Sequence, residues 1–118
     1  MPQEGLTGMA EKLLVIMSTG DKEKALTALM FAKNALKNKR FEDVRVVYFG
    51  PVERLMASDA EVADAAIEIS SMGESIACKA ISDRQNISDK IAGMGVRIEY
   101  VGSIISDYIN DGYVPMVW

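Results

Sequence analysis

The chain has 118 residues, of which 49% are hydrophobic and 25% charged, and this predicts one soluble globular domain with its own core. Its formal net charge of −4 argues against a general nucleic-acid binder, because phosphate contacts need a clustered basic surface. One cysteine and no histidine exclude an intrachain disulfide, a Ser-His-Asp or Cys-His catalytic group and a structural zinc site.

The amino-terminal residues MPQEGLTG do not have the basic and apolar regions of a signal peptide. Every apolar run in the chain is too short to span a membrane. We therefore expect a cytoplasmic protein with no membrane contact. Residues 1–11 are expected to form a loose extension before a single domain over residues 12–118.

The first predicted strand is Lys12 to Met17 (KLLVIM), a continuous apolar run typical of strands that are buried on both faces. Ser18-Thr19-Gly20 ends this strand, and Asp21 is a suitable N-cap for a helix over residues 22–38. The apolar positions of that helix recur at helical spacing: Leu26, Leu29, Met30 and Leu36.

The second predicted strand is Val44 to Phe49, which is rich in β-branched and aromatic residues and ends at Gly50-Pro51. A short helical turn is expected around Glu53 to Ala57. Ser58 and Glu61 then match a capping box at the start of another helix. Its buried stripe is predicted from helical spacing, and Gly73 should end it. The stripe residues are Val62, Ala66 and Ile69.

A short third strand is predicted from Glu74 to Cys78, with Ile76 and Cys78 on one face and Ala77 on the other. Helical segments are expected to follow, first from Lys79 to about Arg84 and then from Ser88 to Ala92.

The fourth strand is predicted from Val96 to Val101, and Gly102-Ser103 should open the last helix. Gly112 ends that helix, and Val114 to Trp118 forms a fifth strand. The alternation of strands and helices predicts an α/β fold, a three-layer α/β/α sandwich with a five-stranded parallel sheet.

All strand-to-helix loops of a parallel sheet gather at its carboxyl edge, where ligands bind. The loops concerned begin at Ser18, at Gly50, at Cys78 and at Gly102. This geometry makes the following residues candidates for a binding site: Ser18, Thr19, Gly20, Gly50, Lys79, Arg84, Gly102 and Ser103.

Cys78 is the predicted last residue of the third strand and lies at this edge. The helix start that follows it, together with Lys79 and Arg84, would favour a thiolate. An unpaired cysteine at a strand end is also often only a packing residue, because cysteine is among the most buried residue types. Both interpretations stay open at this point.

Ser18-Thr19-Gly20 raises a further alternative, because a hydroxyl-rich turn before a helix can hold a phosphate group, as in flavodoxin-like proteins. The turn is shorter than a flavodoxin loop, and the chain has no Walker lysine or GxGxxG pattern. A simple helix cap explains the same residues, and no cofactor or metal is predicted.

In the order and spacing of its elements the chain resembles the DsrE/DsrF-like family, which includes the Tus sulfur-relay subunits. The resemblance runs through VIMSTGDKEKALTALMFAKNALKN, VRVVYFGPVERL, ESIACKAISDRQNI and VRIEYVGSIISDYINDGYVPMVW. It implies a three-layer fold, assembly into homo- or hetero-oligomers such as trimers or hexamers, and a cysteine after the third strand that carries sulfane sulfur as a persulfide. That cysteine corresponds to Cys78.

The sequence therefore leads to one hypothesis and two alternatives. The hypothesis is a sulfurtransferase-like sulfur-relay protein in which Cys78 takes sulfur from a donor protein and passes it to a partner thiol. The first alternative is a non-catalytic oligomeric binding or assembly subunit with a structural cysteine. The second is a nucleotide- or flavin-binding protein.

Overall fold

The computed structural model describes residues 11–118, and the rest of the expected amino-terminal extension lies outside the described residues. The strands are β1 (Lys12–Met17), β2 (Asp43–Tyr48), β3 (Ser75–Cys78), β4 (Arg97–Glu99) and β5 (Tyr113–Val117). The helices are α1 (Lys22–Lys37), α2 (Val52–Ser58), α3 (Ala60–Met72), α4 (Lys79–Arg84), α5 (Ser88–Ala92) and α6 (Val101–Asn110).

The five strands form one sheet in the order β4-β3-β2-β1-β5, and every pair is parallel. Residues of α1, α2, α3 and α5 pack on one side, here called the first face. Residues of α6 and Ile81 of α4 pack on the opposite side, the second face. The predicted α/β sandwich with a five-stranded parallel sheet is therefore confirmed.

Side chains of the inner strands alternate between two apolar clusters, as the pleat of a strand requires. Leu13 and Val15 belong to the cluster on the first face, and Leu14 and Ile16 to the cluster on the second. Both faces of β1 are buried, which explains its unbroken apolar sequence.

The second face is only partly apolar. Arg45 of β2 lies on it, with ion pairs of 2.6 Å to Asp43 and 2.7 Å to Glu74. The guanidinium group of Arg45 also lies 5.9 Å from the centre of the Tyr108 ring on α6. The second face is therefore lined by charged side chains around Arg45.

Helix α1 packs through alanines and through one of the predicted leucines, Leu29. Its buried positions are Ala25, Ala28, Leu29, Ala32 and Ala35. Leu26 and Leu36 are only partly buried, and Met30 is 56% exposed. A stripe of alanines allows the helix backbone to lie close to its neighbours, and Met30 lies outside this buried stripe.

The N-cap residues of α1 and α3 can be compared with the residues predicted for these positions. Asp21 caps α1 as predicted, since its Oδ1 accepts a hydrogen bond of 3.0 Å from the Lys24 N–H. The capping box predicted at Ser58 is wrong, because Asp59 is the N-cap of α3 and accepts from the N–H groups of Glu61 and Val62. The Ser58 hydroxyl instead donates to the Arg54 carbonyl within α2.

The fourth strand is shorter than predicted, because only Arg97–Glu99 pairs with β3. Tyr100 is the N-cap of α6, and Val101, expected in the strand, is buried as the first residue of that helix. Gly102 and Ser103 consequently lie inside the first turn of α6, and do not precede it.

Two further expectations, on the buried residues of α3 and on the faces of β3, are confirmed. Val62, Ala66 and Ile69 are the buried residues of α3. Cys78 and Ala77 belong to the clusters on opposite faces of the sheet. Within residues 11–118, no helix has both the length and the apolar character that crossing a membrane requires.

Candidate functional site

The carboxyl ends of neighbouring strands lie side by side along one edge of the sheet. Met17 pairs in register with Tyr48, Tyr48 with Ala77, and Cys78 with Glu99. The segments after β1, β2 and β3 therefore start from the same edge, as expected for a parallel sheet.

The segments after β1 and β2 are packed tightly together. The Val52 N–H donates to the Ser18 carbonyl at 3.1 Å. Gly50 has a φ of +142°, and a Cβ atom at this position would lie 2.3 Å from the Ser18 Oγ. Glycine is therefore required here by the backbone angle and by the contact.

The polar groups of Ser18 to Asp21 bind mainly to the protein itself. The N–H groups of Ser18 and Thr19 donate to the Trp118 carbonyl at 2.8 and 3.2 Å. Thr19 Oγ1 accepts from the Asp21 N–H at 3.0 Å. The Asp21 carboxylate caps α1, so a negative charge already stands where a phosphate would bind.

Cys78 is the last residue of β3 and the N-cap of α4, and its side chain makes no capping hydrogen bond. It is 5% exposed. Its apolar cluster on the second face consists of Leu14, Ile16, Val47, Ile76, Val101 and Tyr113. The thiol is therefore a buried group at the carboxyl edge of the sheet.

The two basic candidates near Cys78 have different surroundings. Lys79 Nζ pairs with Asp83 Oδ2 at 2.9 Å, and this hydrogen bond is the main reason why the pKa of Lys79 is raised. Arg84 is exposed and is the last residue of α4, at the end of the helix away from Cys78. The charge of Lys79 is thus balanced by Asp83.

The remaining candidates are Gly20, Gly102 and Ser103. Gly20 is exposed, and a Cβ atom there would lie 3.0 Å from Pro51 Cβ and 3.3 Å from the Arg54 guanidinium. Gly102 and Ser103 are exposed in α6. A Cβ atom at Gly102 would meet nothing within 4 Å. Of the predicted set, Ser18 and Gly50 are in direct contact.

Glu53 lies at this edge and was not predicted from the sequence to be a site residue. Its side chain is fully buried, and its Oε2 accepts from the Gly50 N–H at 3.4 Å. The Cys78 N–H lies near the same carboxyl group and lowers its pKa less than the Gly50 N–H does. Burial outweighs both contacts and raises the pKa of Glu53 to about 7.

A sequence signal for Glu53 does exist. Glu53 follows Gly50 by three residues, which is the spacing at which a capping-box carboxylate reaches back to a main-chain N–H. Its burial and its position near Cys78 depend on the packing of α2 against α3, α4 and α5, which no local pattern encodes.

Cavities and metal sites add little to this edge. A surface depression of about 390 Å³ lies at the turn between α4 and α5, lined by Asp83, Asn86, Ser88 and Asp89. In the part of the chain that the structure describes, no three cysteine, aspartate or glutamate residues are grouped to hold a metal ion.

This arrangement defines a single-domain α/β protein with an all-parallel sheet and a cysteine at its carboxyl edge. No protein-family model matches the chain, and no curated protein matches it significantly.

Two solved structures are similar to it. A conserved protein of unknown function from Bacteroides thetaiotaomicron has a TM-score of 0.85 and 20% identity, covering 92% of this chain and 95% of that one. A protein of unknown function from Methanobacterium thermoautotrophicum has a TM-score of 0.73 and 14% identity, covering 92% and 99%. At such identities the similarity shows the fold.

Proposed function

We propose that the protein is a sulfur carrier of the sulfur-relay type, in which Cys78 holds sulfane sulfur as a persulfide. The observation that carries this proposal is the position of Cys78 as the last residue of β3, at the edge where ligands bind in parallel sheets. The resemblance to DsrE/DsrF-like proteins supports the same role for Cys78. A reducing cytoplasm, where we propose that the protein acts, would keep this cysteine free.

The proposed reaction needs no added oxidant or reductant. The Cys78 thiolate attacks the outer sulfur of a donor persulfide, a new S–S bond forms, and the donor leaves as a thiolate. An acceptor thiolate then attacks the outer sulfur on Cys78, which returns to its thiolate form. Thiosulfate could serve as donor in the same way, with sulfite as the leaving group.

The burial of Cys78 adds a condition to this reaction. At 5% exposure the sulfur atom offers little surface to an attacking thiol. Transfer therefore requires local opening near the start of α4 or α6, or a partner protein that produces it. The same burial shields a bound persulfide from water and from unrelated thiols.

Mass spectrometry of the intact protein after incubation with a persulfide donor tests the proposal. We expect a mass increase of about 32 Da, one sulfur atom, that is lost on addition of an acceptor thiol. Cys78→Ser should form no adduct. The absence of an adduct on the wild-type protein, or its persistence in Cys78→Ser, would falsify the sulfur-carrier function.

The second candidate function is a non-catalytic assembly subunit in which Cys78 only packs. It is favoured by the burial of the thiol and by exposed apolar residues on β5, namely Val114, Met116 and Val117. Alkylation of the folded protein separates the two functions, because a purely structural cysteine stays unmodified. Both functions are compatible with a homo-oligomer such as a trimer or hexamer, which we propose as the working form.

The nucleotide or flavin hypothesis for Ser18 to Asp21 stays a prediction. The Asp21 carboxylate at the start of α1 argues against a phosphate group there. A visible absorption spectrum of the purified protein tests for bound flavin directly.

A further inference from the structure

The Glu53 carboxyl group lies between two strand ends without satisfying its own hydrogen-bonding capacity. It is fully buried, accepts a hydrogen bond from the Gly50 N–H, and lies near the Cys78 N–H, which lowers its pKa. Among the described residues its Oε1 has no hydrogen-bond partner. Burying a carboxyl oxygen in this way is unfavourable, and an exposed carboxylate could cap the turn at Gly50 without that cost.

We propose that Glu53 is a positioning residue for Cys78, and that gain or loss of a proton on its carboxyl group controls how readily the thiol reacts. This inference rests on the proposed sulfur-carrier function, whose reacting group it regulates. Glu53 acts through the main chain and through its charge, and it does not touch the transferred sulfur.

The electrostatic part of the argument follows from covalent geometry. The Cys78 Sγ is three bonds from the Cys78 nitrogen, so a carboxylate that contacts this N–H lies within about 7 Å of the sulfur. Two negative charges at this separation repel each other strongly in a buried site. An ionised Glu53 therefore opposes formation of the Cys78 thiolate, and a neutral Glu53 permits it.

Burial raises the pKa of Glu53, and the Gly50 and Cys78 N–H groups lower it. Several charged groups on the neighbouring elements are already paired, as Lys79 is with Asp83 and Asp59 is with Lys22. The charged side chains on the elements packed against α2, and on α2 itself, are Arg54, Asp59, Glu61, Asp64, Glu68, Lys79, Asp83, Arg84, Asp89 and Lys90. Arg54 is exposed and lies beside Gly20.

The pH dependence follows from the direction of the shift. Glu53 holds its proton up to about pH 7, well above the usual range of a glutamate, and then becomes negative. The reactivity of Cys78 should therefore rise less steeply above that pH than the reactivity of an isolated thiol.

The test is the rate constant for alkylation of Cys78 by iodoacetamide between about pH 5 and about pH 9. Glu53→Gln should remove the inflection near pH 7 and increase the rate above pH 8 by about three- to tenfold. Glu61→Gln is the matched control, because the Glu61 side chain is 65% exposed on α3, and it should leave the profile unchanged. Superimposable profiles of wild type and Glu53→Gln overturn the proposal, as does a wild-type thiol that is unreactive at every pH.

A second measurement needs no variant. NMR titration of the wild-type protein should show the Glu53 carboxyl carbon and the Cys78 amide proton changing with one common midpoint near pH 7. A Cys78 amide that does not respond to this titration contradicts the proposal. These two measurements do not depend on sulfur transfer. If the persulfide experiment fails and the effect of Glu53 is clear, the sulfur-carrier function is rejected and the coupling between Glu53 and Cys78 is retained.

Discussion

Gly50 is the residue whose backbone angle most tightly restricts substitution at the candidate site. Its φ of +142° is a conformation that side-chain-bearing residues rarely adopt, and its neighbour Ser18 leaves no space for a Cβ atom. We expect Gly50→Ala to lower the free energy of unfolding by roughly 3 kcal/mol, from strain and steric overlap combined. Denaturant unfolding measures this effect.

Gly102→Ala is the matched control for this substitution. Gly102 lies within α6, and an added Cβ would meet nothing within 4 Å. Alanine favours a helix over glycine, so this variant should be up to about 1 kcal/mol more stable than wild type. Equal losses in the two variants would contradict the assignment of Gly50 as a required glycine.

The site residues differ in how far the sequence could predict them. Cys78 ends a predicted strand and Gly50 directly follows one, so the parallel-sheet pattern places both at the carboxyl edge. Glu53 could not be placed, because its contact with Cys78 joins residues that are 25 positions apart in the chain. Arg84 was predicted to lie near Cys78 because the two are close in sequence, but it lies at the far end of α4.

Helix α3 shows how an N-cap can be predicted one residue away from its true position. Ser58 and Asp59 are both good N-cap residues, and the sequence pattern favoured Ser58 because of Glu61. Helix α2 extends through Ser58, which leaves Asp59 as the first residue with an extended backbone, at φ −123°. The residue at which α2 ends therefore decides which of the two residues is the N-cap of α3.

The capping role of Asp59 gives a stability prediction. Asp59→Ala should lower the melting temperature by about 4 °C at neutral pH, because the N–H groups of Glu61 and Val62 lose their acceptor. Ser58→Ala should have a much smaller effect. The Lys22 ammonium and these N–H groups hold the pKa of Asp59 below its usual value.

The pH dependence of this variant follows from that shift. A lowered folded-state pKa means that the carboxylate stabilises the protein at neutral pH and that the gain is lost as the carboxylate becomes protonated in acid. The difference between wild type and Asp59→Ala should therefore shrink below about pH 4. Thermal unfolding followed by circular dichroism at two pH values measures it, and a larger effect from Ser58→Ala would reverse the assignment of the cap.

At the scale of the whole molecule, the sequence correctly predicts the number and order of strands, because buried parallel strands are short apolar runs between helical segments. It does not predict that β5 lies beside β1 at the edge, since strand order depends on contacts between distant segments. It also does not predict that α6 is the main cover of the second face.

We propose the exposed edge of β5 as the surface at which a second copy of the chain packs. Val117 is 67% exposed, and Val114 and Met116 are also exposed. Their register partners Leu13 and Val15 show that Val114 and Met116 lie on the first face, whereas Val117 lies on the second. An edge strand with apolar residues on both faces offers apolar contacts to a partner, whereas Pro115 has no N–H and limits main-chain pairing at this edge.

Val117→Lys tests the proposed oligomer. If β5 forms the contact, this substitution should shift the sedimentation coefficient toward that of a monomer at micromolar concentration. Ile67→Lys is the control, because Ile67 is an exposed apolar residue on α3, and it should leave the assembly unchanged. If the wild-type protein sediments as a monomer, the proposed homo-oligomer is rejected.

The pairing of β5 with β1 also has a consequence for folding. Each of the other strand pairs joins consecutive strands, whereas Lys12 pairs with Tyr113 across roughly 100 residues of chain. This pair closes the longest loop of the sheet, so its entropic cost is the largest and it is expected to form late. Until then β1 has an open edge, and the β5 of another molecule can occupy it in a domain-swapped pairing. A swapped β5 would place its Trp118 carbonyl against the same N–H groups of Ser18 and Thr19, so these hydrogen bonds do not favour one arrangement over the other. The chain's own strand is favoured because its tether to β1 raises its effective concentration there.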